Sequence, residues 1–184
     1  MTLASCLSTS VNQPERTPEA QRRYRKTKQA ALKLLAARSL SIAELRRKLT
    51  SRGFDGDVTE AVIRELVAKR FLDDEGVSEL YVQNLLERKA YGRRWFFRKL
   101  LQRGIHEETI RSVLDRIYEE IDEGQLAYAA AVRKLRGLRG GNPRSRLAKV
   151  ARFLSSRGFA ESLVMQVINE RLSNELRAED ENGE

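Results

Sequence analysis

The sequence predicts an all-α protein made of three tandem three-helix modules in an elongated, curved array. Its 184 residues include 11 glycines and three prolines, too few for a loop-rich all-β protein. An arginine–glycine–apolar triplet occurs three times, centred on Gly53, Gly104 and Gly158, with separations of 51 and 54 residues. Apolar residues recur at helical spacing on both sides of each triplet. Because a module of this length buries little apolar surface alone, we expect neighbouring modules to stack into an array.

Each triplet is predicted to end the middle helix of a module. Apolar residues four and eight positions before each glycine form one helical stripe, namely Leu45 and Leu49, Phe96 and Leu100, and Val150 and Leu154. Glycine suits the position after a helix end because it adopts a left-handed conformation at little cost. We therefore expect Gly53, Gly104 and Gly158 to be structural corners, each with the next apolar residue folded back onto the preceding turn.

Further patterns predict the other helices of each module. Apolar pairs nine and ten residues after the glycines predict a third helix, at Val62 and Ile63, Val113 and Leu114, and Val167 and Ile168. The middle helices have start signals, which are the capping-box spacing of Ser41 and Glu44, then Gly92, then Asn142 followed by Pro143. Apolar stretches upstream, at residues 31–35, 80–86 and 127–135, predict the first helices.

These elements divide the chain into five parts. We expect residues 1–25 to be a disordered polar and basic leader and residues 174–184 to be a mobile acidic tail, because both have too little apolar content to pack. The three modules are assigned to residues 26–74, 75–122 and 123–173.

Few residues could carry catalysis or bind a metal ion. The single histidine, His106, is expected on the surface near a helix N-terminus, and no catalytic triad or multi-histidine site can be built from it. The acids of Asp73–Glu75 are more simply helix caps than a cation site. The glycine cluster Gly137, Gly140 and Gly141 lacks the Walker Gly-Lys-Ser/Thr ending. We expect a protein that is not an enzyme and that uses no cofactor and no metal.

The sequence also bears on location. Cys6 is the only cysteine, which excludes a disulfide within one chain and fits a reducing cytosol. No apolar run approaches the roughly 18 residues that a membrane span needs, and the leader has no basic start. We expect a cytoplasmic protein with no membrane association.

Positive charge concentrates on the predicted middle helices. The net charge is +9, and Lys plus Arg outnumber acids eleven to one in residues 22–52, seven to none in residues 88–103 and nine to none in residues 133–157. Such residues can simply solvate an exposed face. Three repetitions at one structural position instead favour a positive stripe that binds an extended polyanion or an acidic groove. The candidate partner-binding residues are Arg46, Arg47, Arg93, Arg94, Arg98, Lys99, Arg144, Arg146, Lys149 and Arg152.

Trp95 is a further candidate for partner binding. It lies nine residues before Gly104 and off the stripe of Phe96 and Leu100 that we expect to be buried. Packing between modules and contact with a partner are both open for Trp95, and for Tyr91 close to it.

Several segments, in this order, resemble the RecX family of bacterial recombination regulators. They are "ALKLLAARSLSIAELRRKLTSRGF", "AKRFLDDEG", "ERKAYGRRWFFRKLLQRGI" and "KVARFLSSRGF". The resemblance covers about residues 29–170, and it departs at Gly76, Val77 and Ser78, where the family tends to have a basic residue, Phe and Ala.

The resemblance implies a small cytoplasmic monomer that binds the RecA nucleoprotein filament along its helical groove. It implies inhibition of RecA ATP hydrolysis, strand exchange and co-protease activity, hence a role in DNA repair, DNA recombination and the SOS response. Binding in the groove and capping of a filament end are both compatible with such an array. Weak non-specific binding to DNA is expected from the net charge.

Two other classes of protein stay open on the sequence. A helix-turn-helix DNA-binding protein would use similar three-helix units, but its second corner helix should present polar base-reading residues, and here that helix is acidic. A general helical-repeat adaptor would share the fold without any preference for a filament.

Overall fold

The structure is a computed structural model that describes residues 17–138 and 142–172. Within these ranges every regular element is helical, which confirms the all-α prediction. The helices are α1 (Pro18–Ala37), α2 (Ile42–Thr50), α3 (Gly56–Ala68), α4 (Asp74–Leu86), α5 (Arg93–Gln102), α6 (Glu107–Glu119), α7 (Glu123–Arg136), α8 (Pro143–Ser156) and α9 (Glu161–Gln166), and α9 continues as a π-helical segment (Val167–Leu172).

Each run of three helices encloses its own hydrophobic core. We call α1–α3, α4–α6, and α7–α9 with the π-helical segment modules 1, 2 and 3. The predicted stripes of the middle helices α2, α5 and α8 are buried in these cores. The apolar pairs predicted for the third helices are buried too, and all of their members except Val113 belong to the core of their own module. Apolar burial therefore stabilises each module separately, and Ala90, between α4 and α5, also packs against the core of module 3.

The predicted start signals cap the middle helices. Ser41 and Glu44 form a capping box, in which the Ser41 hydroxyl accepts from the Glu44 N–H and the Glu44 carboxylate accepts from the Ser41 N–H. Gly92 is the N-cap of α5 and Asn142 is the N-cap of α8. Asn142 lies 16 residues before the glycine of its module, whereas Ser41 and Gly92 lie 12 before theirs. The middle helix of module 3 therefore starts about one turn earlier.

The three glycine corners have nearly the same backbone conformation. Gly53, Gly104 and Gly158 have φ of 78°, 81° and 78°, in the left-handed region. The N–H of the following residue donates to the carbonyl five residues earlier at 3.2–3.3 Å, in the pairs Phe54–Leu49, Ile105–Leu100 and Phe159–Leu154. This is the Schellman arrangement, which satisfies carbonyls at the helix end and folds the apolar residue back. Each of the three glycines lies at the end of a middle helix, where the sequence predicts a corner.

The start of α1 differs from the prediction. Residues 18–25, which the sequence placed in the disordered leader, are the first two turns of α1. Pro18 occupies the first turn, and the Thr17 hydroxyl accepts from the Ala20 N–H at 3.3 Å. Tyr24 then packs on the core of module 1, and its hydroxyl donates to Glu65 of α3. The Thr17 cap and the packing of Tyr24 therefore stabilise the start of α1, although its composition is polar. Residues 1–16, including Cys6, and the predicted tail 174–184 lie outside the described residues.

The corner of module 2 docks on the start of α2 in module 1. The Ser41 hydroxyl donates to the carbonyl of Arg103 at 2.6 Å. The Arg103 guanidinium donates to the carbonyl of Ser39 at 3.1 Å and to Glu44 at 2.8 Å. A Cβ placed on Gly104 would lie 2.5 Å from the Cβ of Ala43, so the corner touches the first turn of α2. We call this set of contacts junction 1.

Junction 2, where the corner of module 3 docks on the start of α5, repeats these contacts. The Gly92 N–H donates to the carbonyl of Arg157 at 2.9 Å, and the Arg157 guanidinium donates to the carbonyl of Ala90 at 3.3 Å. The acceptors Ser39 and Ala90 both lie two residues before the helix cap. Here the ring of Tyr91, 4.6 Å from the guanidinium carbon, takes the place of the carboxylate of junction 1.

A carboxylate from the next module completes each junction. Asp74, the first residue of α4, accepts from the Ile42 N–H at 2.8 Å, and Glu123, the first residue of α7, accepts from the Arg93 N–H at 3.1 Å. Both amides are orphan donors in the first turn of a middle helix. The predicted role of the acids at the module boundary as caps is confirmed for Asp73, whose side chain accepts from the Glu75 N–H. Asp74 in addition caps the helix of another module.

Burial and hydrogen bonding shift the pKa values of the junction 1 carboxylates, Glu44 and Asp74, in opposite directions. Burial raises the pKa of Glu44, but hydrogen bonds from Arg103 and the Ser41 N–H outweigh it and hold that pKa below its ordinary value. Burial raises the pKa of Asp74 above its ordinary value, against the lowering effect of the Ile42 N–H. Ionised Glu44 is therefore stabilised by folding, and its protonation weakens junction 1.

Substitution of the corner glycines by alanine should destabilise the protein unequally. A Cβ on Gly53 meets no described heavy atom within 4 Å, so Gly53→Ala should cost only the left-handed strain, about 1 kcal/mol. A Cβ on Gly158 would overlap the backbone nitrogen of Trp95, which cannot move away as a side-chain tip can. We expect Gly158→Ala to cost about 3 kcal/mol, by strain plus overpacking. Urea unfolding of the full chain measures both values. Equal losses would show that the glycine of module 3 is not tightly docked.

Removal of the arginine of junction 1 should have a pH-dependent effect. Arg103→Ala leaves the Glu44 carboxylate without its main donor, and we expect a loss of about 2 kcal/mol in unfolding free energy at neutral pH. Because the pKa of Glu44 lies below 4.5 in the folded chain, the difference from wild type should shrink as the pH falls below that value. Arg52→Ala, at the equivalent exposed corner, is the control and should cost less than about 0.5 kcal/mol. A pH-independent loss would contradict the role assigned to Glu44.

Candidate functional site

In the structure, some basic residues of the predicted positive stripe contact other side chains, and others are exposed without an ion pair to a described residue. Arg46 forms an ion pair with Glu60 at 2.5 Å, and Arg93 forms one with Asp115 at 2.5 Å, so both connect the middle helix to the third helix of the same module. Such partly exposed pairs contribute little stability, but they neutralise two of the candidate residues. These two arginines are poorer candidates for partner binding than the sequence suggested.

Two further candidates, Lys99 and Arg146, are only partly exposed. The Lys99 ammonium lies 5.6 Å from the centre of the Trp95 ring, in cation–π geometry. Arg146 is half-buried, and its Nε is a buried donor with no hydrogen-bond partner among the described residues. The remaining candidates are exposed and have no ion pair with a described residue, and they are Arg47, Arg94, Arg98, Arg144, Lys149 and Arg152.

Three of these available arginines occupy equivalent positions. Arg47, Arg98 and Arg152 each lie six residues before the corner glycine of their module. All three are exposed on a middle helix, two positions before the buried leucine of the stripe. The sequence contained this signal, because counting back from each glycine shows a basic residue at this position in all three modules. Charge alone selects ten basic residues and does not distinguish these three from the others. We call Arg47, Arg98 and Arg152 the arginine row.

Equivalent junctions make the row regular. The two junctions use equivalent groups. In each, the corner of one module contacts the start of the middle helix of the module before it, and the carbonyls involved are those of the corner arginine and of the residue two positions before the helix cap. Because these contacts are equivalent, we expect a similar rotation and translation between successive modules, which would place equivalent residues along one regular path. Arginines on such a path can each contact one repeat of a partner that is itself regular.

Trp95 is a packing residue at junction 2. Its backbone and Cβ lie against Gly158, and its ring stacks on Tyr91 with centroids 3.9 Å apart and 19° between the planes. Tyr91 in turn carries the Arg157 guanidinium on its ring. Of the two roles open on the sequence, packing between modules is the one that the geometry supports for both aromatic residues.

The described residues include no cluster of three or more His, Cys, Asp or Glu that could hold a metal ion. His106 is the exposed N-cap of α6, at the surface position expected from the sequence. Of the helices in the described ranges, none combines the length and the apolar character needed to cross a bilayer. The glycines at 140 and 141 lie outside the described residues, while Gly137 is the C-cap of α7.

Comparison with known proteins matches both the modules and their order. The family model for the first three-helix domain of RecX matches residues 28–66, and that for the third three-helix domain of RecX matches residues 121–168. The chain is 33% identical over 138 residues to regulatory protein RecX of Chlorobium limicola, covering 75% of this chain and 84% of that protein. It is 33% identical over 172 residues to regulatory protein RecX of Mycolicibacterium vanbaalenii, covering 90% and 93% respectively.

Solved structures share the fold. A crystal structure of regulatory protein RecX aligns with a TM-score of 0.73 at 23% identity, covering 83% of this chain and 74% of that one. The crystal structure of RecX from Lactobacillus salivarius aligns with a TM-score of 0.72 at 19% identity, covering 82% and 97%. With its repeated Arg-Gly corners, its three-helix modules and its identity to these relatives over most of their length, the chain belongs to the RecX family of regulatory proteins.

Proposed function

We propose that this protein binds the RecA nucleoprotein filament and inhibits RecA ATP hydrolysis, strand exchange and co-protease activity. The observation that carries the proposal is the arginine row, three exposed arginines at equivalent positions of a repeating array, none of which is ion-paired with a described residue. A filament is a repeating partner with charged surfaces, so a regular array can contact several protomers at once. Linking weak contacts in this way raises affinity without any single strong site.

The repeating geometry favours binding in the helical groove of the filament over capping of its end. Junctions 1 and 2 consist of helix-cap and corner hydrogen bonds, which set one orientation of each module relative to the next. A groove presents successive protomers along a curved path, and all three members of the arginine row can be used there. At a filament end, fewer protomers are within reach.

The acidic first turns of the third helices weigh against a helix-turn-helix DNA-binding function. Asp55 and Asp57 at the start of α3, and Glu107 and Glu108 at the start of α6, are exposed. A recognition helix usually directs its N-terminal residues at bases between two phosphate backbones. Carboxylates in that position would repel the phosphates, so DNA contacts are better assigned to the arginine row.

Titration into a RecA ATPase assay tests the proposed function. We expect the purified chain to hydrolyse no ATP alone and to lower ATP hydrolysis by RecA assembled on single-stranded DNA, at fewer than one chain per RecA monomer. The reason is that one array bridges several protomers. A gel-shift assay on the same DNA without RecA runs beside it, and only weak binding should appear there. Unchanged RecA turnover, together with tight sequence-selective binding to duplex DNA, would instead support the DNA-binding alternative.

Charge reversal tests the arginine row directly. Arg47→Glu, Arg98→Glu and Arg152→Glu together should weaken binding to the filament at least a hundredfold, because three contacts are lost and three repulsions are introduced. The matched control reverses Arg25, Arg88 and Arg136, which are exposed, unpaired among described residues and located on first helices or their ends. Both variants change the net charge equally. Similar losses in the two variants would mean that binding depends on net charge and not on the row.

A further inference from the structure

The corner of module 1 has the conformation of a docked corner but has no neighbour among the described residues. Gly53 has φ of 78°, as Gly158 has, although the described residues before α1 form no module that could contact it. A Cβ on Gly53 would meet no described heavy atom within 4 Å. Arg52 is exposed, and neither its carbonyl nor its guanidinium has a hydrogen-bond partner among the described residues. This corner is therefore formed, and no described residue occupies it.

The two docked corners show what such a corner binds. Each contacts the N-terminus of an α-helix, which supplies a donor at the cap for the arginine carbonyl and a carbonyl two residues earlier for the guanidinium. The first turn of that helix lies against the glycine, where a side chain would collide with Ala43 or Trp95. In junction 1 a carboxylate in the first turn, Glu44, completes the set.

We propose that Arg52 and Gly53 form a docking site for the N-terminus of an α-helix on the partner protein, with a carboxylate in its first turn. Acidic residues are favoured in first turns by the helix dipole, and a carboxylate accepts two parallel hydrogen bonds from a guanidinium. The inference rests on the proposed function, in which the partner is the RecA filament. It assigns the module 1 end of the array to a protein helix, whereas the arginine row is available for any polyanion.

A second copy of the chain fits this corner poorly. The vacant acceptor on another copy would be the start of α8, but α8 begins one turn earlier than α2 and α5 relative to its corner. The position equivalent to the caps Ser41 and Gly92 is consequently Arg146, inside the helix. Arg52 of a second copy would therefore meet a like charge without a cap donor, which favours a different protein as the occupant of the first corner.

Two substitutions separate corner docking from general electrostatics. Arg52→Lys keeps the charge but loses the planar fork that bonds a carbonyl and a carboxylate together. Gly53→Asn keeps the left-handed conformation, which asparagine tolerates, and places a side chain where the partner helix would pack. The control is Arg25→Ala, which removes an exposed charge on α1 of the same module. Thermal unfolding of each variant should match wild type, because the Arg52 side chain has no hydrogen bond to a described residue and a Cβ at Gly53 contacts none.

Binding of fluorescently labelled full-length chains to RecA filaments on single-stranded DNA measures the effect. We expect Arg52→Lys and Gly53→Asn to weaken binding about tenfold or more, and Arg25→Ala to change it less than about twofold. Wild-type affinity in both corner variants would overturn this inference and leave the proposed function intact. A wild-type chain that does not bind filaments would overturn both. Sedimentation velocity adds one outcome: a wild-type dimer that Arg52→Lys dissociates would identify a second copy as the occupant and overturn the assignment to a partner helix.

Discussion

The left-handed glycine at the end of each middle helix is the constraint on which the array depends. Because Gly104 and Gly158 have no side chain, the corner can approach the backbone of the preceding module, where Ala43 and Trp95 already fill the space. That approach aligns the arginine carbonyl with a cap donor and the guanidinium with a carbonyl. A single conformational requirement therefore ends one helix, folds an apolar residue into its own core and joins two modules.

Backbone groups supply most of the repeated junction contacts, and this explains how the repeats can diverge. The cap donor is a hydroxyl in Ser41 and a main-chain amide in Gly92, and the group beside the arginine is a carboxylate in one junction and an aromatic ring in the other. The acceptor is a main-chain carbonyl in both. The three cores, whose buried residues each come from one module, can then vary with little effect on how the modules are arranged.

The same geometry decides where charge is available for a partner. The junctions fix the starts of α2 and α5, and the cores bury one face of all three middle helices, which leaves the opposite face of each exposed. Arg47, Arg98 and Arg152 lie on that face, while Arg46 and Arg93 turn toward acids of the third helices. Under the proposed function, the spacing of these arginines matters more than their total charge, and helix caps and corners set that spacing.

The sequence by itself determined the helices, their caps, the buried stripes and the three corners, because each depends on groups within about one or two helical turns. It also held the equivalence of the arginine row, counted from each glycine. Only the tertiary structure decided that Arg103 and Arg157 join modules, that Trp95 packs against Gly158, and that polar residues from Pro18 onward are helical. Those outcomes depend on contacts between residues far apart in the chain, such as Ser41 with Arg103 across 62 positions, and no local pattern encodes which distant group will accept a given donor.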